Sequence, residues 1–121
     1  MKIKLVLLLL LFTIIISANE GNGLFPSTTI NLGDLSGTRD SCVANFRYKN
    51  CLGKTVVIEN VFASCSCTKV QYPHKPIENN DTGRIRVAIN LRNEKGYFKK
   101  KVVVYASGIK PTILKIEGNV K

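Results

Sequence analysis

Cys65 and Cys67, separated by a single serine, are the residues whose type and spacing best suit chemistry. In an extended strand, residues i and i+2 lie on one face, with Cα atoms ~6.6 Å apart at the usual strand rise. That separation is near the outer limit for a disulfide, so a bond there would be strained and easily reduced, as redox-active disulfides are. Alternatively, two thiolates on one face would bind a soft metal ion such as Cu(I) or Zn(II).

His74 is the only histidine of the chain and lies a short distance beyond Cys67. Together with Cys65 and Cys67 it would supply three ligands to a metal, leaving a fourth position for solvent or a partner. The spacing matches no standard zinc motif, and a cysteine pair in a small domain is more often structural. We therefore favour structural cystines or buried thiols and predict no cofactor, with thiol redox chemistry and Cu or Zn binding as alternatives.

Cys42 and Cys51 complete a set of four cysteines, which allows three pairings. The segment between these two reads as an extended strand whose ends would lie ~30 Å apart, against the ~7 Å that a disulfide permits. If the next strand returned as a hairpin, Cys42 would lie opposite Val61. A bend beyond that strand would then make Cys42 a possible disulfide partner for Cys65 or Cys67. Cys51, at the turn, is predicted to be a free and exposed thiol.

Short alternating segments dominate the rest of the chain. Residues 41–49 place Ala44, Phe46 and Tyr48 on one face, and residues 84–91 alternate as regularly. Seven such segments at roughly ten-residue spacing predict an all-β fold, an immunoglobulin-like antiparallel β-sandwich, with a small closed barrel as the alternative. The predicted strands are residues 28–32, 41–49, 55–62, 68–72, 84–91, 97–105 and 112–120, with hairpins joining the second to the third and the fifth to the sixth.

Residues 1–18 differ in composition from the rest: Lys2 and Lys4 precede an apolar run that ends at Ser17-Ala18. This pattern predicts a secretory signal peptide, and the run is shorter than the ~20 residues of a membrane span. The chain is thus expected to be periplasmic or secreted, not membrane-spanning after cleavage, in a compartment that favours disulfides. The remainder fits one domain, with a flexible lead-in at residues 19–27 and the sandwich at residues 28–121.

Basic residues outnumber acidic ones by 18 to 8, and loss of the two leader lysines would leave 16 to 8, a net charge of +8. Such a balance suits an acidic envelope protein or an anionic envelope component. No nucleic acid is expected, because aromatic side chains do not interleave with the basic ones. The alternative is a solvated face with lysines protecting a strand edge. In the predicted hairpin of the fifth and sixth strands, one candidate basic patch would comprise Arg84, Arg86, Arg92, Lys99, Lys100 and Lys101.

The segment Ala63-Ser64-Cys65-Ser66-Cys67-Thr68, with Val57-Ile58-Glu59-Asn60-Val61 before it and Gly83-Arg84-Ile85 after it, is recognisable. Over residues 30–120 the chain resembles a family of bacterial exported proteins called domain of unknown function 1573. The resemblance implies an export route and an immunoglobulin-like sandwich similar to periplasmic pilus chaperones and the major sperm protein, but no established activity. Two positions depart from the family pattern: Ser66 replaces a usual glycine, and Cys51 lies in a turn that usually reads Asn-Thr-Gly.

The chain shows no catalytic constellation: the single histidine has no nucleophile motif, and the acidic residues are scattered. We expect a non-enzymatic, exported immunoglobulin-like binding or adaptor module of the bacterial cell envelope, whose strand edges accept a strand from a partner. The alternative is a thiol redox or Cu(I)/Zn(II)-handling protein that uses Cys65 and Cys67. A third hypothesis is a structural envelope component.

Overall fold

The computed structural model describes residues 23–121, in which every regular element is a β-strand. None of these residues forms a helix long and apolar enough to cross a membrane. The signal peptide predicted for residues 1–18 lies outside the described residues. The strands are β1 (Thr29–Leu35), β2 (Ser41–Lys49), β3 (Ile58–Ala63), β4 (Thr68–Gln71), β5 (Thr82–Asn90), β6 (Gly96–Ala106) and β7 (Thr112–Val120).

Two sheets face each other, with the strand orders β1-β7-β6-β3 and β2-β5-β4. Neighbouring strands are antiparallel, except that β1 runs parallel to β7. Alternate residues of each sheet point into the core, as in β2, which buries Cys42, Ala44, Phe46 and Tyr48. The structure therefore confirms the predicted all-β, immunoglobulin-like sandwich of seven strands, and the parallel β1–β7 pair is its one departure from a purely antiparallel arrangement.

Both predicted hairpins are wrong. Strand β2 pairs with β5, so Cys42 lies opposite Ile89 and not opposite Val61. Strand β3 crosses to the other sheet and pairs with β6, and β5 and β6 also lie in different sheets. The alternation of a strand determines which face it buries but not which strand lies beside it, and connections that cross between sheets are usual in sandwiches.

The core begins earlier in the chain than the predicted domain boundary at residue 28. Leu24 and Phe25 are almost fully buried. The ring of Phe25 packs edge-to-face against Tyr48 with centroids 5.9 Å apart, and the Lys49 N–H donates to the Leu24 carbonyl at 3.1 Å. The predicted lead-in at residues 19–27 therefore contributes these two residues to the sandwich.

Asn50, directly after β2, is completely buried. Its side-chain NH₂ donates to the carbonyls of Lys54 at 2.7 Å and Ile77 at 2.9 Å, and its side-chain oxygen accepts from the Leu52 N–H at 3.0 Å. Its backbone makes two further hydrogen bonds with residues 80–81, at 2.9 and 2.7 Å. Asn50 thus holds the connection from β2 to β3 against the loop that precedes β5, at the point where the chain crosses between sheets.

Replacement of Asn50 should test this anchoring. Asn50→Ala is expected to lower the free energy of unfolding by ~3 kcal/mol, because three backbone groups lose their side-chain partner in a buried site. Urea denaturation measures the change. Asn45→Ala, on the exposed face of β2, is the matched control and should change stability by less than ~0.5 kcal/mol. Equal effects of the two substitutions would contradict the anchoring role.

Candidate functional site

Residues 64–67 form a turn that connects β3 of one sheet to β4 of the other; we call it the cysteine turn. Cys65 and Cys67 form a disulfide there, with Cα atoms 5.2 Å apart, inside the usual range of ~4.4–6.8 Å. The spacing predicted from strand geometry is wrong because the chain bends: the Thr68 N–H donates to the Cys65 carbonyl at 3.1 Å. At the start of the turn, both the backbone N–H and the hydroxyl of Ser64 donate to the Lys101 carbonyl.

The disulfide is a local connection rather than a clamp on the whole fold. The two cysteines are two positions apart in sequence, so the closed loop consists of Cys65, Ser66 and Cys67. For a loop of this length the chain-entropy relation gives a stabilisation of about 1.6 kcal/mol, against about 3 kcal/mol for a 15-residue loop. Both cysteines are half-buried, and Cys67 packs against the edge of the core. Solvent therefore reaches the disulfide, and its loss would leave the sandwich folded.

The other two cysteines are free thiols. Cys42 does not bond to Cys65 or Cys67, contrary to the possible pairing, because β5 lies between its strand and β4: Ile89 is the register partner of both Cys42 and Thr68. Burial raises the pKa of the Cys42 thiol, which keeps it protonated and unreactive at neutral pH. Cys51 is exposed, as predicted.

His74 lies in the exposed segment after β4, where its ring packs against Tyr72 with centroids 4.6 Å apart. Within residues 23–121, no group of three or more histidine, cysteine or acidic side chains meets in a way that could hold a metal ion. The structure therefore does not assemble the candidate metal site of Cys65, Cys67 and His74, and the disulfide takes up the two thiols that such a site would need.

An open cavity of about 430 Å³ adjoins the cysteine turn. Two cations, Lys69 and Arg92, line it; Arg92 Nε also lies 3.9 Å from the Asp40 carboxylate. Nearby positive charge stabilises a thiolate, so these cations would favour the reduced form of Cys67. The lining residues are Asp40, Ser41, Ser66, Cys67, Lys69, Ala88, Ile89, Asn90 and Arg92.

The six residues of the candidate basic patch do not share one surface. Arg84 and Arg86 belong to β5 in the three-stranded sheet, whereas the three lysines belong to β6 in the other sheet. Of these lysines, Lys99 lies 3.6 Å from the Glu117 carboxylate, and Lys100 pairs with a different carboxylate, that of Glu94. The patch depended on the hairpin of the fifth and sixth strands, which the structure does not form.

Sequence reasoning missed an apolar surface on the outer face of the four-stranded sheet. Phe62, Val103 and Ile113 are register partners across β3, β6 and β7. Phe62 is 64% exposed, Ile113 49% and the neighbouring Tyr105 44%. We call Phe62, Val103, Tyr105 and Ile113 the apolar band. The consecutive apolar run Val102-Val103-Val104-Tyr105 was the available signal, since a strand with one solvated face should alternate.

The two-sheet topology, with β1 parallel to β7 and the chain crossing between sheets, defines an immunoglobulin-like domain. Residues 24–120 match the model of the family described as "Protein of unknown function (DUF1573)", and the chain belongs to that family. No curated protein matches the sequence.

Solved structures share this fold at low sequence identity. A protein of unknown function from Porphyromonas gingivalis W83 is 13% identical with a TM-score of 0.64, over 77% of this chain and 44% of that one. The ASH/PapD-like domain 7 of human CEP192 is 7% identical with a TM-score of 0.63, over 88% and 91%. The CsuC-CsuE chaperone–tip adhesion subunit complex of Acinetobacter baumannii Csu pili is 10% identical with a TM-score of 0.52, over 78% and 55%. The chain thus spans less than half the length of the Porphyromonas protein.

Thiol counting by mass spectrometry should verify the cysteine assignment. Alkylation of the folded protein is expected to label Cys51 alone, because Cys42 is buried and protonated. Unfolding without a reductant should expose Cys42 as the second site, and reduction should add Cys65 and Cys67. The Cys51→Ser variant serves as the control and should lose one label in each condition. Labelling of the cysteine pair before reduction, or a disulfide that includes Cys42, would show the assignment to be wrong.

Proposed function

We propose that this chain is an exported, immunoglobulin-like binding or adaptor module of the bacterial cell envelope, periplasmic or secreted, that acts without catalysis or a cofactor. The observation that carries the proposal is the apolar band beside the open edge of β3. Export is supported by the composition of residues 1–18.

The backbone of β3 is available for pairing on one side. Among residues 23–121, the strand is the last of its sheet and pairs only with β6. The Ser64 N–H donates to the Lys101 carbonyl, so alternate residues from Ser64 direct their backbone groups towards β6. Val61 and Ala63, between them, direct theirs to the open side. A partner strand could therefore hydrogen-bond to these residues, as in β-augmentation.

The edge of β3 also lacks most of the usual protection against such pairing. Edge strands are commonly short or carry lysine, as does β4 with its four residues and Lys69. By contrast, β3 has six residues with one charge, that of Glu59, and an irregularity only near its start. The β3 edge is unprotected and lies next to the exposed Phe62. This combination indicates a surface that binds a partner.

Comparison with the chaperone–tip adhesion subunit complex supports the same class of function. That relative forms a pre-assembly complex with another protein and shares the fold, although its low sequence identity to this chain shows the fold alone. A protein-binding role is thus in keeping with the architecture, and in this chain β3 and the apolar band would form the binding surface.

Photo-crosslinking in the producing bacterium should test the proposal. A benzophenone amino acid at position 62 is expected to give a covalent adduct with a partner protein, because Phe62 borders the open edge. The same group at Val43, which is 37% exposed on the other sheet, is the matched control and should give none. Ala63→Pro, which removes an outward N–H that β6 does not use, should abolish the adduct. Equal adducts at both positions, or none at position 62, would contradict the proposal.

A second candidate function, thiol redox chemistry, is favoured by the half-buried disulfide beside Lys69 and Arg92. In such a reaction a substrate dithiol would donate two electrons and two protons through a mixed disulfide. The Cys65–Cys67 bond would break to give two thiols, and the two substrate sulfurs would become joined. The nearby cations would stabilise the thiolate formed in the first step.

Equilibration with glutathione buffers, followed by alkylation, would measure this redox activity. A redox-active disulfide should be half reduced at a potential between about −120 and −270 mV. The double variant Lys69→Gln, Arg92→Gln should shift the midpoint to more negative values, because its thiolate loses stabilisation. Lys49→Gln, on an exposed position of β2, is the control. A pair that stays oxidised below about −300 mV would mark the disulfide as structural.

A further inference from the structure

Two lysines lie directly opposite each other on the outer face of the four-stranded sheet. Lys101 of β6 is the register partner of Lys115 of β7; we call them the lysine pair. In the next row, the Glu117 carboxylate is already engaged by Lys99 at 3.6 Å and by the Tyr97 hydroxyl at 3.0 Å. Among residues 23–121, neither ammonium of the lysine pair has an ion-pair partner.

This arrangement does not serve the stability of the sheet. Like charges directly opposite each other in an antiparallel pair are destabilising. The lysine pair also lies one row from the apolar band, since Lys101 precedes Val103 by two residues and Ile113 precedes Lys115 by two. The outer face therefore presents an exposed apolar row and an uncompensated cationic row side by side, which is the complement of a ligand that is apolar at one point and anionic at the next.

We propose that the open edge of β3 binds an extended polypeptide segment whose side chains on one face are alternately apolar and acidic. An apolar residue of this segment covers Phe62, and an acidic residue two positions along reaches the lysine pair. The inference rests on the proposed binding function and deepens it by naming the chemistry of the partner. Residues i and i+2 of an added strand lie on the same face, which matches the row spacing of the sheet.

Ser64 gives the acidic side chain its path to the lysine pair. It occupies the row of Lys101 at the end of β3, and its hydroxyl is turned onto the Lys101 carbonyl at 3.2 Å. This small side chain leaves the space above it open. A glutamate on an added strand would therefore pass over Ser64 towards Lys101, while its neighbour two residues away meets the exposed ring of Phe62.

Charge and backbone geometry favour this occupant over two others. A second copy of the chain, with a net charge of +10, or +8 without the two lysines of the predicted leader, would bring like charges together around the lysine pair. An anionic membrane would satisfy the lysines and the apolar band but would leave the outward backbone groups of Val61 and Ala63 without hydrogen bonds. A polypeptide strand satisfies the apolar, cationic and hydrogen-bonding features together.

Fluorescence anisotropy with three labelled peptides of about nine residues would test the inference. Each has threonine at every second position and, at the positions between, alternates valine with one polar residue, which is glutamate, glutamine or lysine, so that both types share one face of the strand. The glutamate peptide should bind roughly tenfold more tightly than the glutamine peptide, and salt should weaken its binding. The lysine peptide should bind least. N-methylation of alternate residues of the glutamate peptide should abolish binding, because it removes the N–H groups that pair with β3.

Variants of the full chain separate the contributions of charge and the apolar anchor. The double variant Lys101→Gln, Lys115→Gln should bind the glutamate peptide roughly tenfold more weakly, and its affinity for the glutamine peptide should be unchanged. Phe62→Ser should weaken both peptides. Lys49→Gln and Val43→Ser, on the other sheet, are the matched controls and should change neither. Circular dichroism would establish that every variant is folded.

Several results would overturn the inference. Equal affinity for the three peptides, or an equal loss of affinity in the control variants, would show that the lysine pair does not select an acidic partner. In that case, peptide binding that depends on Phe62 would still support a binding module. Dimerisation in analytical ultracentrifugation that Phe62→Ser abolishes would assign the face to a second copy. Binding to phosphatidylglycerol vesicles without binding of any peptide would assign it to a membrane. Absence of both peptide binding and a crosslink at position 62 would reject the inference and the proposed function together.

Discussion

The buried amide of Asn50 is the interaction on which the arrangement of the strands depends. A chain leaving β2 could return beside it as a hairpin, and the apolar pattern of β3 would allow that. Asn50 instead hydrogen-bonds to the carbonyls of Lys54 and Ile77 and so fixes the connection across the end of the sandwich. Its burial makes any alternative path costly, because the amide and its backbone partners would lose hydrogen bonds away from water. Beyond this connection, strand β3 pairs with β6 and forms an edge of its sheet.

That crossing explains which features the sequence could predict and which it could not. Period-two alternation correctly identified the strands and the inward positions of β2, such as Phe46 and Tyr48. It failed on strand partners, because alternation carries information about faces and none about neighbours. The basic patch failed for the same reason, since Arg84 and Lys99 lie on adjacent strands of the chain but in different sheets. Leu24 and Phe25 are apolar, as core residues usually are, but their position close to the predicted leader led to their assignment to the flexible lead-in and not to the core.

The cysteine site shows a similar limit at shorter range. The residue types and spacing correctly marked Cys65 and Cys67 as a pair, and the exposure of Cys51 followed from its turn. The strand geometry assumed for the pair was wrong, because the connection between the two sheets has to bend within a few residues. A bend shortens the Cα–Cα distance to 5.2 Å, which a disulfide accommodates without a strand. Local spacing thus identified the two cysteines as a pair, while the topology determined the geometry of their disulfide.

The cysteine turn and the apolar band are consequences of the same crossing. The turn begins where β3 ends, and Ser64 fastens it to Lys101, the residue that also faces Lys115. The opposed lysines destabilise the sheet, and the exposed Phe62 ring contributes little burial, so selection for stability alone would favour neither feature. The apolar band and the lysine pair lie on one face beside the open edge of β3, and a partner strand of the proposed kind would compensate both.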